Sequence, residues 1–307
     1  MKSHSEGVLE PFISIVIPIK NADLHLSNIE NILNQIQQHT VQIILVHDIF
    51  AENPSPALQA LVKSRSSENI DFLMVASGNP GSARNAGLEL AHGKWVTFWD
   101  ADDEPNLANL VSMVLSGDES GCEICVGSFL IREGVVISNQ ELNVKKSVNQ
   151  ILNNPGIWRF SFRSDLLSGV RFPSTKMGED QVFMLQLGLS KKKIFFSKIR
   201  VYTYIQGSPT QSTNLENSRK EILESLRISL RLYARQSILS DSFNRQLISR
   251  ILLTTLKIYG KRLPCRDFPI RLFADLGIRK FTLLALTVAR VAFSMAWMRA
   301  QSKLPWA

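Results

Sequence analysis

The chain has 307 residues, 45% of them hydrophobic, which is ample for one sizeable core with an appendage. Its 35 basic and 27 acidic residues leave a net charge of +8. Three cysteines, Cys122, Cys125 and Cys265, suit a reducing compartment, and Cys122-Glu-Ile-Cys125 stands in an apolar run with no second such pair, which argues for a core strand and against a zinc or redox site. The first residues, Met-Lys-Ser-His-Ser-Glu-Gly, lack the apolar segment of a secretion signal, so the chain is expected to face the cytoplasm.

Residues 12–19 (Phe-Ile-Ser-Ile-Val-Ile-Pro-Ile) form an apolar, β-branched run that reads as a buried strand. Leu26, Ile29, Leu33 and Ile36 follow at helical spacing. Val41–Val46 is a second buried strand, Pro54 and Pro56 open a helix bearing Leu58, Leu61 and Val62, and Ile70–Ala76 is a third strand. A turn cluster, Ser77-Gly-Asn-Pro-Gly81, precedes a helix over Ser82–Ala91. Gly93 then starts a strand ending at Asp100, and Pro105 is expected to begin the next helix. Further strands are expected at Glu123–Ile131, Gly134–Ser138, Trp158–Phe162 and Ile194–Tyr204, with a helix at Glu179–Leu189. Such alternation implies an α/β fold, with a mostly parallel sheet flanked by helices and ligands at the carboxyl ends of the strands. From about Leu215 the pattern is helical, with Ile222, Leu226, Leu230 and Tyr233 as one apolar stripe beside Arg227, Arg231 and Arg235. The break at Gly207-Ser-Pro-Thr places a boundary near Ser208–Thr213, giving a first domain over 1–210 and a helical, basic region over 211–307.

The acidic strand end carries the chemistry. Trp-Val-Thr-Phe-Trp-Asp-Ala-Asp-Asp over 95–103 delivers Asp100, Asp102 and Asp103 to one place. Crowded carboxylates are costly unless a cation neutralises them, and residues two apart leave the same face of a strand. Asp100 and Asp102 therefore suit Mg²⁺ or Mn²⁺, with phosphate oxygens completing the shell. A plainer reading has Asp102 or Asp103 cap the helix expected at Pro105, and Trp95 and Trp99 fill core. Glu179-Asp180, a second acidic pair at a helix start, would serve proton chemistry.

Four parts in order, Ile17-Pro18 with Asn21, Gly81-Ser-Ala-Arg-Asn-Ala-Gly87, Asp100-Ala-Asp-Asp103 and Gly178-Glu-Asp-Gln-Val-Phe183, resemble the family 2 glycosyltransferases of the GT-A nucleotide-sugar-binding fold, over roughly residues 12–206. The resemblance implies a sugar-nucleotide donor, usually UDP-linked, and inversion at the anomeric carbon. It makes Asp102 the main metal ligand, with Asp100 supporting the metal and the nucleotide side, and Asp180 the general base, with Glu179 positioning the acceptor. Arg84 would buttress the acidic site, Pro18 and Asp48 would line the base pocket, and Trp158 would belong to the acceptor wall. Two positions depart from the family pattern. Lys20 stands where an aromatic usually lies against uracil; it can pair with phosphate or ribose but stacks a base less well. The second strand ends Val46-His47-Asp48-Ile49-Phe50, which keeps Asp48 for the base's N3–H but loses the following glycine turn. No (Q/R)xxRW motif follows the catalytic pair, which favours addition of single sugars to a cell-surface glycan or lipid-linked acceptor over processive synthesis. Two rivals are a non-catalytic sugar-nucleotide or glycan-binding scaffold and a nucleotidyltransferase; the latter's glycine-rich loop is absent from Ile19-Lys-Asn-Ala-Asp23.

From Lys257 onward there are ten basic and two acidic residues, which accounts for the whole net charge. Phe281–Met298 is mostly apolar but carries Arg290 near its middle, so it reads as an amphipathic helix and not a membrane span. Leu284, Val288, Val291, Met295 and Met298 define its apolar face, and Arg271, Arg279, Lys280, Arg299 and Lys303 flank it. Peripheral contact with the inner face of a plasma membrane, or packing back on the domain, both follow. No aromatic-interleaved basic motif suggests nucleic acid.

Overall fold

The structure, a computed structural model, describes residues 11–36, 41–50, 52–65, 69–140, 151–152, 154–206, 215–235, 242–259 and 276–301. The expected break at 207–213, the N-terminal seven residues, Cys265, Arg271 and Lys303 lie outside them, as do the side chains of Met295, Met298 and Arg299. The chain divides into two compact units: Met1–Lys145 with Gly156–Arg171 and Lys192–Ser208, and Lys146–Pro155 with Phe172–Lys191 and Pro209–Ala307. The division is thus not a single cut, because two short segments before residue 210 group with the C-terminal helices.

The first unit is built on a sheet of nine strands. β1 (Ile13–Ile19) lies between β2 (Val41–Asp48) and β4 (Trp95–Phe98), and β3 (Ile70–Val75) is on the far side of β2. These four are parallel, with Ile15 opposite Ile43 and Thr97, and Leu45 opposite Phe72. β1 and β2 are buried along nearly their whole length, which is why they read as unbroken apolar runs and not as alternations. Pro18 lies beyond Val16–Phe98, the last pair that β1 makes with β4, so its missing N–H leaves that ladder intact. The other half of the sheet is mixed. β8 (Phe160–Arg163) runs antiparallel to β4 and to β6 (Ile124–Glu133), while β9 (Ile194–Gln206) is parallel to β6. β7 (Val136–Gln140) forms a hairpin with β6 through Gly134 at φ 57.

Helices α1 (Ala22–Leu33), α2 (Pro56–Ser64), α3 (Pro80–Leu88) and α4 (Leu107–Glu119) complete the unit. Buried Ile29, Ile32 and Leu33 follow the expected stripe of α1. The α3 cap is Asn79, whose side chain accepts from the Ser82 N–H at 2.8 Å, with Pro80 supplying a preset φ. Gly87 lets this helix sit directly on the sheet: a Cβ there would lie 2.4 Å from Val16 Cγ1 and 2.9 Å from Val46 Cγ2. Pro105 does not start a helix. Glu104–Pro105 forms a short edge strand, β5, antiparallel to β9, and α4 is capped by Asn106, which accepts from the Asn109 N–H at 2.9 Å. The residue before a proline is pushed towards extended backbone, so the chain gains one more strand before it can turn helical. Cys122 and Cys125 are buried, free thiols, and burial raises the pKa of both.

The second unit is helical: α5 (Glu179–Leu187), α6 (Leu215–Arg235), α7 (Ser242–Tyr259) and α8 (Gly277–Gln301). Ile222, Leu226, Leu230 and Tyr233 are buried as the stripe predicts, whereas Arg231 and Arg235 are exposed. In α8, Leu284 and Val291 are buried, while Ile278, Phe281, Leu286 and Phe293 are exposed beside Arg279 and Arg290. Among the described residues no helix is long and apolar enough to cross a membrane.

Candidate nucleotide-sugar site

The carboxyl ends of β1, β2, β3 and β4 lie along one edge of the sheet, because the strands are parallel and in register. β4 ends at Phe98, and Trp99, fully buried, donates its N–H to the Val16 carbonyl at 3.0 Å. Asp100–Asp103 therefore form a turn and not a strand end; Asp100 and Asp102 come together through that turn, not through the pleat. Asn28 of α1 pins it, donating Nδ2 to the Ala101 carbonyl at 2.7 Å and to the Asp103 carbonyl at 2.6 Å.

The three aspartates have different surroundings. Asp103 is 1% exposed and does not cap a helix: its Oδ1 accepts the Ile205 N–H of β9 at 2.7 Å. Burial, then the Asp100 charge, push its pKa up to about 8. Asp100 is held by Arg84, whose Nη2 lies 2.7 Å from Oδ1. Arg84 is 4% exposed and is delivered by α3, the helix that Gly87 lets approach the sheet. The Asp100 N–H donates to the Tyr202 hydroxyl at 3.0 Å. Asp102 is half-buried, and burial first and Asp100 second raise its pKa, against the lowering effect of His25 and Arg84.

Among the described residues no group of three or more His, Cys, Asp or Glu side chains converges as a metal cage. With Asp103 committed to Ile205, Asp100 and Asp102 remain as two mutually repelling carboxylates. That pair fits a hard cation drawing its other ligands from a diphosphate and water, as Mg²⁺ commonly does.

Lys20, at the end of β1, is exposed, and Asn21 after it adopts left-handed φ 52. The Asn21 N–H donates to Glu52 Oε2 at 2.7 Å, and the other oxygen of Glu52 is 2.8 Å from Nε2 of buried His47. Asp48 is 5% exposed and heavily engaged. Its Oδ1 accepts the N–H groups of Phe50, Ser77 and Gly78 at 3.1, 3.0 and 3.2 Å, and Oδ2 accepts the Ser77 hydroxyl at 2.6 Å. It clasps the loop after β2 to the loop after β3.

Trp158 lies in a single helical turn before β8, not in the strand, and is 5% exposed. It stacks on Tyr202 with centroids 4.5 Å apart and on Tyr204 at 5.8 Å, and meets Phe129 edge-on at 4.8 Å. Tyr204, half-buried and within the electrostatic reach of Asp103, Asp102 and Asp100, is the outer member of this stack. The alternation Tyr202-Thr-Tyr204 in β9 put both tyrosines on one face and was the sequence signal for them. Asn28 and Glu52 carried no comparable signal.

Glu179 and Asp180 belong to the second unit, in the first turn of α5. Gly178 precedes them at φ 80, and a Cβ there would be 3.1 Å from the Ser225 Cβ. Ser225 donates its hydroxyl to the Met177 carbonyl at 2.6 Å and pairs with the Thr175 hydroxyl at 2.9 Å, so α6 sets where α5 begins.

The sequence model of the family Glycosyl transferase family 2 matches residues 14–175, more than half of the chain. The minor teichoic acid biosynthesis protein GgaB of Bacillus subtilis is 29% identical over 205 residues, covering 62% of this chain and 22% of GgaB. The glycosyltransferase GlyG of Streptococcus pneumoniae is 23% identical over 216 residues, covering 64% of this chain and 71% of GlyG. The poly(ribitol-phosphate) beta-N-acetylglucosaminyltransferase TarS of Staphylococcus aureus is 25% identical over 202 residues, covering 62% of this chain and 35% of TarS. Crystal structures of TarS 1–349 with UDP and with UDP-GlcNAc share the fold, each at TM-score 0.63. The first is 18% identical and covers 91% of this chain and 87% of that one; the second is 16% identical and covers 92% of each. The chain thus has the GT-A-like α/β fold and belongs to glycosyl transferase family 2.

Proposed function

We propose that this chain moves a single sugar from a UDP-linked donor to a hydroxyl of a cell-envelope polymer, with inversion at the anomeric carbon. The observation that carries the reading is the turn at the carboxyl edge of four parallel strands, where buried Arg84 holds Asp100 at 2.7 Å beside Asp102. The UDP and UDP-GlcNAc complexes of TarS support the donor, and the teichoic acid and poly(ribitol-phosphate) names of the relatives support the acceptor class.

Asp102 and Asp100 would hold Mn²⁺ or Mg²⁺, which would supply positive charge to offset the negative charge building on the leaving diphosphate. Arg84 keeps Asp100 oriented, and Lys20 pairs with phosphate or ribose. Asp180 takes the proton of the acceptor hydroxyl as its oxygen attacks C1 from the face opposite the diphosphate. The C1–oxygen bond to the acceptor forms, the C1–oxygen bond to the diphosphate breaks, and the nucleoside diphosphate leaves. Glu179 positions the acceptor. Trp158 contributes to the acceptor wall from beneath Tyr204. A lipid-linked acceptor fits the exposed apolar side chains of α8 and the adjacent Arg279 and Arg290, which suit the anionic inner leaflet of a plasma membrane.

The test is a screen of UDP-, GDP- and dTDP-sugars for thermal stabilisation with Mn²⁺, followed by assay of the product released. Release of UDP from a UDP-sugar is expected. Conversion of a UDP-sugar and added pyrophosphate into UTP and a sugar 1-phosphate identifies a nucleotidyltransferase, and stabilisation without any turnover identifies a binding scaffold. Asp180→Asn is expected to leave donor binding within about threefold while turnover falls at least about 10²-fold; equal loss of both refutes the base assignment.

A further inference from the structure

We propose that Phe50 is the platform on which the donor's nucleobase lies; the inference rests on the donor-site reading above. A base needs an apolar face as well as polar partners, and the end of β1 offers Lys20 and Asn21, neither aromatic. Among the described residues of the first unit, Phe50 is the one phenylalanine, tyrosine or tryptophan with more than a third of its surface exposed, at 51%. A lone exposed Phe is ordinary on a protein surface. This one differs in its place and in how it is held.

Its place follows from the register. Ile19 pairs with His47, so Phe50 stands just past the carboxyl end of β2, beyond the end of β1 that carries Lys20. Asp100 and Asp102 follow β4, on the other side of β1. β4 and β2 lie two inter-strand steps apart laterally, about 10 Å, and β2 runs four residues past Ile44, the residue level with Phe98 through Val16, so the path from the carboxylate pair to Phe50 runs obliquely across β1. Along this edge the order is the carboxylate pair, then the exposed cation Lys20, then the exposed ring.

The ring is also fixed. The Phe50 N–H is tied to Asp48, the same carboxylate that anchors Ser77 and Gly78. Gly78, at φ +69, lies against it so closely that a Cβ there would be 2.9 Å from Phe50 Cδ1. The segment after β2 is strapped on its other side too, through Glu52 to the Asn21 N–H and through the Ser55 hydroxyl to Asp23. A ring immobilised before binding loses little entropy on stacking. With three N–H groups on Asp48 Oδ1 and a hydroxyl on Oδ2, the same carboxylate also has little capacity left for reading base edges. Recognition through a π-face tolerates different bases.

Calorimetric titration of the full chain in Mn²⁺ with UDP, GDP and inorganic pyrophosphate tests this. Phe50→Ala is expected to weaken both nucleotides by about ten- to a hundred-fold and pyrophosphate by less than about twofold. Phe50→Trp should restore nucleotide binding, and Phe50→Leu, which keeps bulk against Gly78 without a π-face, should not. Phe50→Ala or Phe50→Leu binding UDP as tightly as the natural chain overturns the proposal. So does equal loss of UDP and pyrophosphate in Phe50→Ala, which would make the ring a mere prop for the loop. A natural chain that binds no nucleotide refutes the donor-site reading itself, a failure visible before any variant is compared.

Discussion

Replacing Arg84 by Met keeps the alkyl stem that packs in α3 and removes the guanidinium from Asp100. At 2.7 Å and an effective dielectric of 20 the gross attraction is about 6 kcal/mol, most of it offset by desolvating the two ions. Breaking a fully buried pair costs about 3–5 kcal/mol. Arg84 is 4% exposed but the Asp100 side chain is 27% exposed, so water can partly compensate the carboxylate. We expect Arg84→Met to destabilise the chain by about 2–3 kcal/mol. Asp102 then loses one of the charges that lower its pKa and becomes harder to ionise without a cation. Urea denaturation in EDTA, followed by tryptophan fluorescence, measures the cost for Arg84→Met, Asp100→Asn and the double variant. The two changes should be far from additive, with a coupling energy of about 2 kcal/mol. A coupling below about 0.5 kcal/mol would mean that Arg84 does not hold Asp100, and the account of the turn would fail.

Asp48→Ala should destabilise the chain by about 3 kcal/mol, since it removes the acceptor of three N–H groups and one hydroxyl; a loss of UDP affinity with unchanged stability would make Asp48 a ligand and not a clasp. Gly87→Ala should cost about 1–3 kcal/mol, because its Cβ would meet Val16 and Val46 of adjacent strands, and it should weaken UDP binding by shifting α3 and Arg84. An unchanged melting temperature would show that α3 has slack. Asp103 has its folded pKa raised to about 8 from 3.8, so the folded state binds more protons than the unfolded chain between those values. Its contribution to stability is therefore greatest below pH 4 and is lost as pH rises towards 8. In metal-free buffer Asp103→Asn should flatten that decline, and parallel melting curves against pH for the two proteins would refute it.

Of the four parallel strands, β1, β2 and β4 were legible because each is buried on both faces, so local composition alone marks them, and half-buried β3 at the sheet edge was marked by its apolar residues; their carboxyl edge places Lys20, Asp48 and Asp100 together. The helical stripe of α6 was legible for the same local reason. Partners distant along the chain decided the rest. Nothing near Asp103 in sequence says that a backbone N–H 102 residues later will take it, leaving Asp100 and Asp102 as the pair. Nothing near Asp48 in sequence says that the loop after β3 will fold onto it and donate two N–H groups to its carboxylate. Pro105 read as a helix start because the edge strand it joins is completed only by β9. The inserted segment bearing Glu179 and Asp180 groups with helices that follow it, through hydroxyls such as Ser225 whose partners no periodicity reveals. Burial of apolar side chains is written in local pattern, whereas the partner that satisfies a buried polar group is chosen by the folded chain.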